Sequence, residues 1–205
     1  MTQGIAGRTT AGIRTLLRPP YYRISRWLFY RLQYVRDREA QIEIEDLLSK
    51  LKACGSRPSI DPPIRLFAPE CVSIGSNVHI GENAFIRGEG GLYIGDNTRI
   101  SRNLVLYTMN HRYQGERLPY DDGRVFKPVY IGKNVWIGMN VCIAPGTRIG
   151  DGVIVGMGTT VSGVIPELSV IGSPPWRLLG RRDPEHYARL EDEGSYGDPH
   201  GLPMD

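Results

Sequence analysis

The chain has 205 residues, 40% of them hydrophobic, with 25 glycines, 15 prolines and a formal net charge of +3. That hydrophobic content excludes a disordered chain, and the length suits one domain with a substantial core plus peripheral structure. The mild charge argues for no nucleic-acid partner, and the sequence has no 18-residue apolar run that would span a membrane.

From Met1 to Arg36 there are seven arginines (Arg8, Arg14, Arg18, Arg23, Arg26, Arg31 and Arg36) and no acidic residue. From Asp183 onward seven carboxylates stand against Arg189. A basic arm and an acidic tail thus flank a nearly neutral middle. The arm lacks the continuous apolar stretch and cleavage site of a secretory signal. Cys54, Cys71 and Cys142 show no short-range pairing, as expected in a reducing compartment, so the expected location is cytoplasmic.

Residues 1–56 read as this basic arm and a helical segment. Pro19-Pro20 opens a helix predicted over 21–38, and a second follows over 39–52, closed by Cys54-Gly55. Ile24, Trp27, Leu28 and Val35 give the first an apolar stripe bordered by Arg23, Arg26 and Arg31. With Tyr21, Tyr22, Phe29 and Tyr30 interleaved, this is the composition of a helix in weak peripheral contact with an anionic bilayer. The same stripe would also serve to pack on the main domain or on a neighbouring subunit. Ile42, Leu47, Leu48 and Leu51 suit an apolar face packed on that domain.

The next segment has a period of six. Ile131, Ile137, Ile143, Ile149, Val155 and Val161 are successive aliphatic positions. At 40% hydrophobic content, such a run would arise by chance roughly once in 250 trials. A small residue follows each (Gly132, Gly138, Ala144, Gly150, Gly156, Ser162), and Val135, Val141, Thr147, Val153, Thr159 and Ile165 form a third column. The same register runs upstream through Ile74, Ile80, Ile86 and Ile94, Ile100, Leu106, with a two-residue slip after Leu92. Period six is neither helical nor alternating. It fits short strands around a triangular prism, three hexads to a coil, so that Ile131–Arg148 and Ile149–Pro166 stack as coils. The aliphatic residue points inward and the small one lets the backbone turn.

Between Leu106 and Ile131 the period fails, and residues 107–130 must leave the prism as a loop containing His111, Arg112, Tyr113, Glu116, Asp121, Asp122 and Lys127. Residues 183–193 read as a helix, with a Gly/Pro-rich tail running to 205.

The stretches Ile74-Gly75-Ser76-Asn77-Val78-His79-Ile80-Gly81 and Ile131-Gly132-Lys133-Asn134-Val135-Trp136-Ile137-Gly138 resemble the hexapeptide-repeat acyltransferases, in particular the maltose and galactoside acetyltransferase branch. The likeness runs from Ala68 to Arg182. It implies a mainly β fold, a left-handed parallel β-helix over residues 57–182, with N-terminal helices and a short C-terminal helix after Ile171-Gly172-Ser173-Pro174-Pro175. The handedness comes from the resemblance alone. It further implies acetyl-CoA as co-substrate, no metal, a sugar or glycan acceptor, and a homotrimer with sites between subunits.

Acyl transfer from a thioester to an alcohol needs a base, donors for the oxyanion and a site that holds both substrates. His111, a neutral imidazole in the extruded loop, suits the base. Asn110-His111 also stands where the family carries its catalytic histidine, upstream of Pro128 to Gly138. A carboxylate of the loop or a backbone carbonyl would orient the ring. We expect the carbonyl, with Glu116, Asp121 and Asp122 solvated or facing the acceptor. The resemblance places an oxyanion donor at the Gly138-Met139 corner, although Met139 would also serve as plain packing. It lays pantetheine against Gly156, Met157 and Ser162, and the nucleotide phosphates near Arg177, Arg181 and Arg182, whose forked donors suit phosphate. Trp136 would cover the pantetheine or the reacting centre, or meet another subunit. Asn110 and Tyr113 are assigned to the acceptor. Arg87, followed by Gly88-Glu89-Gly90-Gly91, stands where galactoside acetyltransferases carry an asparagine. That departure points away from simple galactosides, towards a charged or larger glycan or an amino sugar on a nucleotide, which would be N-acetylated.

Two rival readings use the same prism. A hydratase of the γ-carbonic anhydrase type needs three histidines around zinc, and only His79 and His111 fall within the prism. A non-catalytic trimeric scaffold would need neither the extruded histidine nor the closing segment.

Overall fold

The computed structural model describes residues 20–173 and 183–195. The chain divides into two compact units, Met1–Glu39 and Ala40–Asp205. Helix α1 runs unbroken over Pro20–Ser49, where two helices were expected. The segment 21–49 contains neither glycine nor proline, and Arg38-Glu39-Ala40 at the expected junction are strong helix formers, so nothing stops the first segment. Leu48 and Leu51 pack against the core of the second unit, whereas Ile42 is exposed.

The second unit is a parallel β-solenoid of the left-handed β-helix type. Its first coil comprises β1 (Ala53–Cys54), β2 (Ser59–Ile60) and β3 (Ile64–Phe67), so the prism begins ahead of residue 57. The second has β4 (Val72–Ile74), β5 (His79–Ile80) and β6 (Ala84–Arg87). The third has β7 (Leu92–Ile94), β8 (Arg99–Ile100) and β9 (Val105–Tyr107). A hairpin of β10 (Met109–His111) and β11 (Arg124–Phe126) then leaves the prism. The fourth coil is β12 (Val129–Ile131), β13 (Trp136–Ile137) and β14 (Cys142–Ile143). The fifth is β15 (Arg148–Ile149), β16 (Ile154–Val155) and β17 (Thr160–Val161). β18 (Val164–Ile165) and β19 (Val170–Ile171) begin a sixth, and helix α2 spans Pro184–Asp192.

Strands from successive coils pair in parallel into three faces. On the first, Ile74, Ile94, Ile131, Ile149 and Ile165 stand in register. On the second the stack is Ile60, Ile80, Ile100, Ile137, Val155 and Ile171. On the third it is Leu66, Ile86, Leu106, Ile143 and Val161. These aliphatic stacks fill the prism, and Val135, Val141 and Val153 close its corners. Thr147 and Thr159 occupy the same column and stay buried because their hydroxyls donate to the Ala144 and Gly156 carbonyls, at 2.6 and 2.7 Å.

The small residue after each aliphatic does not make the turn, contrary to expectation. The left-handed backbone falls two residues later, at Asn134 (φ 57°) and Asn140 (φ 57°), where asparagine tolerates positive φ. Gly138 is small for another reason. A Cβ there would lie 2.7 Å from the Met157 nitrogen of the next coil.

The irregularities gather on one edge, between the third and first faces. The two extra residues upstream fall within Gly88–Gly91, before Leu92 rather than after it, because buried Leu92 pairs with Val72 and Val129. After Val161 the same edge is shortened through Ser162-Gly163, so Ile165 stacks on Ile149 as an inward residue instead of filling the corner column. The hairpin β10–β11 leaves from this edge.

Candidate active site

The hairpin's neck is tied to the prism. The Lys127 N–H donates to the Thr108 carbonyl at 2.8 Å. The Thr108 hydroxyl donates to the Arg87 carbonyl and accepts from the Gly90 N–H, both at 2.7 Å. A Cβ on Gly90 would lie 2.1 Å from the Thr108 oxygen, so this corner can sit under the neck only as glycine. Above the neck, β10 and β11 pair antiparallel with His111 opposite Arg124.

Asp121 organises the tip of the hairpin. Its carboxylate is buried, accepting from both Nε and a terminal nitrogen of Arg112 and from the backbone N–H groups of Glu116 (3.0 Å) and Gly123 (2.9 Å). The expectation that it is solvated is therefore wrong. A four-donor cradle inside a loop takes a carboxylate out of water at little cost. The Arg112 guanidinium, supported by those two N–H groups, holds the carboxyl down to about 2 against the opposing effect of burial. Gly115 and Gly123 leave the room, since a Cβ on either would press on this carboxylate. The C-terminal segment adds a second tie: Arg189 of α2 lies 3.9 Å from Glu116, and the Leu118 N–H donates to the Ser195 carbonyl.

His111 sits at the end of β10, with the Tyr120 ring stacked on it at 3.9 Å and 24°. Its Nδ1 is buried and has no hydrogen-bond partner among the described residues, so the expected carbonyl does not orient that nitrogen. The imidazole is held by ring packing and by the hairpin. Asn110 turns its side-chain oxygen back to accept the His111 N–H at 3.0 Å.

His111 lines a pocket of about 290 Å³ with Asn110, Tyr113, Gln114, Lys127 and Pro145. A second hollow of about 210 Å³ runs along the third face beside Tyr107, Cys142, Ala144 and Thr160. The two share Asn110 and Pro145. The two hollows therefore adjoin, with the imidazole at one of them.

The other expected residues lie elsewhere. Trp136 projects from the second face, and Gly138, Met139, Gly156 and Met157 share the edge between the second and third faces. Across the width of the third face stands the hairpin edge, where Ser162 also falls, two coils beyond the hairpin. One chain thus brings Asn110, Tyr113 and His111 together but leaves Met139 on the opposite edge. Arg87 lines neither hollow. Its guanidinium pairs with Glu89 at 2.6 Å and lies over the Phe67 ring at 5.0 Å. Arg177, Arg181 and Arg182 lie outside the described residues. Among the described residues, no three His, Cys, Asp or Glu side chains gather to hold a metal ion.

Sequence reasoning missed Tyr120 and Lys127 as neighbours of the imidazole and misplaced Asp121. The Asp121-Asp122-Gly123 turn was a visible sign of a carboxylate folded back on backbone, but Arg112 as its partner was not.

The family model described as "Bacterial transferase hexapeptide (six repeats)" matches residues 128–163, and "Hexapeptide repeat of succinyl-transferase" matches 71–108. The chain is similar to a hexapeptide-repeat acetyltransferase from Vibrio cholerae O1 biovar eltor, solved in complex with acetyl coenzyme A. The identity is 26%, covering 65% of this chain and 73% of that one, with a TM-score of 0.59. It is also similar to a maltose O-acetyltransferase from Clostridium difficile 630, at 29% identity over 68% of this chain and 74% of that one, TM-score 0.55. AntD, an N-acyltransferase from Bacillus cereus, shares the fold at 22% identity, covering 75% of this chain and 94% of that one, TM-score 0.54. No curated protein sequence matches the chain significantly.

Proposed function

We propose that this hexapeptide-repeat β-helix is an acetyltransferase that moves the acetyl group of acetyl-CoA onto a hydroxyl of a sugar or glycan, with His111 as general base. The observation that carries the reading is the placing of His111. It is a loop histidine with a stacked ring, in a hollow that adjoins a second one, on a hairpin clamped by the ion pair of Arg112 with buried Asp121. The solved acetyltransferases from Vibrio cholerae and Clostridium difficile support the donor and the reaction class.

In this reading the imidazole takes the acceptor's hydroxyl proton as the oxygen attacks the thioester carbon. The tetrahedral intermediate carries its negative charge on the former carbonyl oxygen. Its collapse breaks the carbon–sulfur bond, and the departing thiolate takes the proton back from the imidazolium. A thioester is already activated, so no covalent enzyme intermediate is needed.

An oxyanion donor at the Gly138-Met139 corner cannot serve His111 of its own chain, because a whole prism face separates the two edges. A homotrimer resolves this by setting the corner of one copy against the hairpin of the next. Exposed Trp136, Met139, Ile154 and Met157 on the second face and its edge supply an apolar surface for that contact.

The test follows free thiol release from acetyl-CoA across a screen of sugars, nucleotide-sugars and glycan fragments. Acceptor-dependent release by wild type supports the reading, and the product shows whether an oxygen or an amine was acetylated. If no acceptor triggers release and calorimetry finds no acetyl-CoA binding, the reading fails.

A further inference from the structure

The first unit contains a helix whose apolar side chains stay in the open. Along α1, Ile24, Trp27, Leu28, Leu32 and Val35 are all exposed, Trp27 at 63%. These residues recur at helical spacing and make one broad apolar side. Tyr30 and Tyr34 border it, and the Arg26 guanidinium lies over the Tyr30 ring at 5.5 Å. The charge of this stretch has one sign, since Arg23, Arg26, Arg31 and Arg36 precede Asp37, its first acidic residue.

A second copy of the helix is a poor cover for this side. The heptad seam through Ile24 and Leu28 continues to Arg31 before Val35. Packing two or three helices on it would press like charges together inside an apolar interface. A bilayer surface accepts the same pattern, because an arginine amid apolar side chains extends its head to the phosphate level while its stem stays in the apolar layer. Tyrosine and tryptophan favour that depth. No helix among the described residues is long and apolar enough to cross a membrane, so the helix would lie on one.

We infer that the residues from Ile24 to Arg36 of α1 bind an anionic lipid surface, apolar side down, and hold the enzyme there. The lipid binding stands independently of the acetyl-transfer reading; joined to it, it would favour lipid-linked or membrane-proximal acceptors.

The experiment sediments the full chain with vesicles of phosphatidylcholine mixed with phosphatidylglycerol, and with phosphatidylcholine alone. Wild type should pellet with the mixed vesicles at low salt, be released as salt rises, and pellet far less with the neutral ones. Each cation near an anionic surface is worth about fivefold in partitioning, so Arg31→Glu with Arg36→Glu should lower it at least ~10-fold. Trp27→Ser with Leu28→Ser, which removes buried apolar area, should lower it by about the same factor. All variants should keep wild-type circular dichroism and oligomeric mass. Three results would overturn the inference: no pelleting with anionic vesicles at low salt, equal pelleting of wild type and the charge-reversed variant, or a serine variant that loses oligomeric mass while sedimenting unchanged. The last would assign the helix to contacts between copies.

Discussion

Arg112 follows His111 in the chain, and its guanidinium grips both oxygens of the Asp121 carboxylate, so the residue beside the proposed base is locked to the far side of its own loop. Asp121 is in this sense a positioning residue. Asp121→Asn keeps the shape but removes the charge that Arg112 needs. The expected result is a 10–10²-fold lower kcat, from misplacement of the imidazole, with acetyl-CoA affinity kept. Asp121→Glu should be no rescue, because one more methylene carries the carboxylate off the four donors that hold it at its present place. Steady-state kinetics beside a CoA titration check both, and a variant with normal kcat would show that the clamp is irrelevant to the chemistry.

The pH behaviour of this clamp has a definite sign. The carboxyl is held down to about 2 in the folded chain, so its stabilising contribution is complete above the ordinary carboxylate range and disappears only as pH falls towards about 2. Acid unfolding monitored by circular dichroism should therefore show the Asp121→Asn and wild-type curves converging at the acid end and separated at neutral pH. Any loss of rate between neutral and mildly acidic pH then belongs to another group.

His111→Ala is expected to keep oligomeric mass and CoA affinity while kcat falls by about 10²–10⁴-fold, the usual worth of a general base. Near-normal turnover in the variant would end the general-base proposal.

Gly138→Ala tests the stacking of the coils. The new methyl would meet the Met157 backbone nitrogen at 2.7 Å, with no flexible side chain to yield, so a loss of about 1–3 kcal/mol is expected in denaturant unfolding. Gly172→Ala, where no atom of the described residues lies within 4 Å, is the control and should be near neutral. Equal midpoints for the two variants would refute the close-approach account.

Light scattering should find three copies per particle. A stable and active monomer of 22.9 kDa would count decisively against a site shared between chains. Within the assembly, replacing Arg177, Arg181 and Arg182 by alanine should raise the KM for acetyl-CoA and largely spare kcat, because phosphates lie far from the reacting carbon.

The prism was legible in the residues because each aliphatic position has a local cause. Each hexad sends one strand residue into the prism and a second residue into the corner behind it, so Ile131, Ile137 and Ile143 mark three faces by spacing alone. The same logic exposed the hairpin as the place where the spacing stops. What spacing could not convey is how coils meet. Whether Gly138 turns the chain or makes room for Met157 depends on an atom of another coil, and the edge on which Ser162 and Gly88–Gly91 fall depends on counting pairs in register. The site divides in the same way. The sequence by itself determined the repeat, the extruded loop and the histidine within it, because these are statements about neighbours along the chain. Only the tertiary structure decided that Asp121 is buried against Arg112, that Tyr120 covers the imidazole, and that Met139 stands across a whole face from His111. A carboxylate's state depends on the donors around it and a corner's partner on the winding of the coils, and both are settled by contacts between residues distant in sequence.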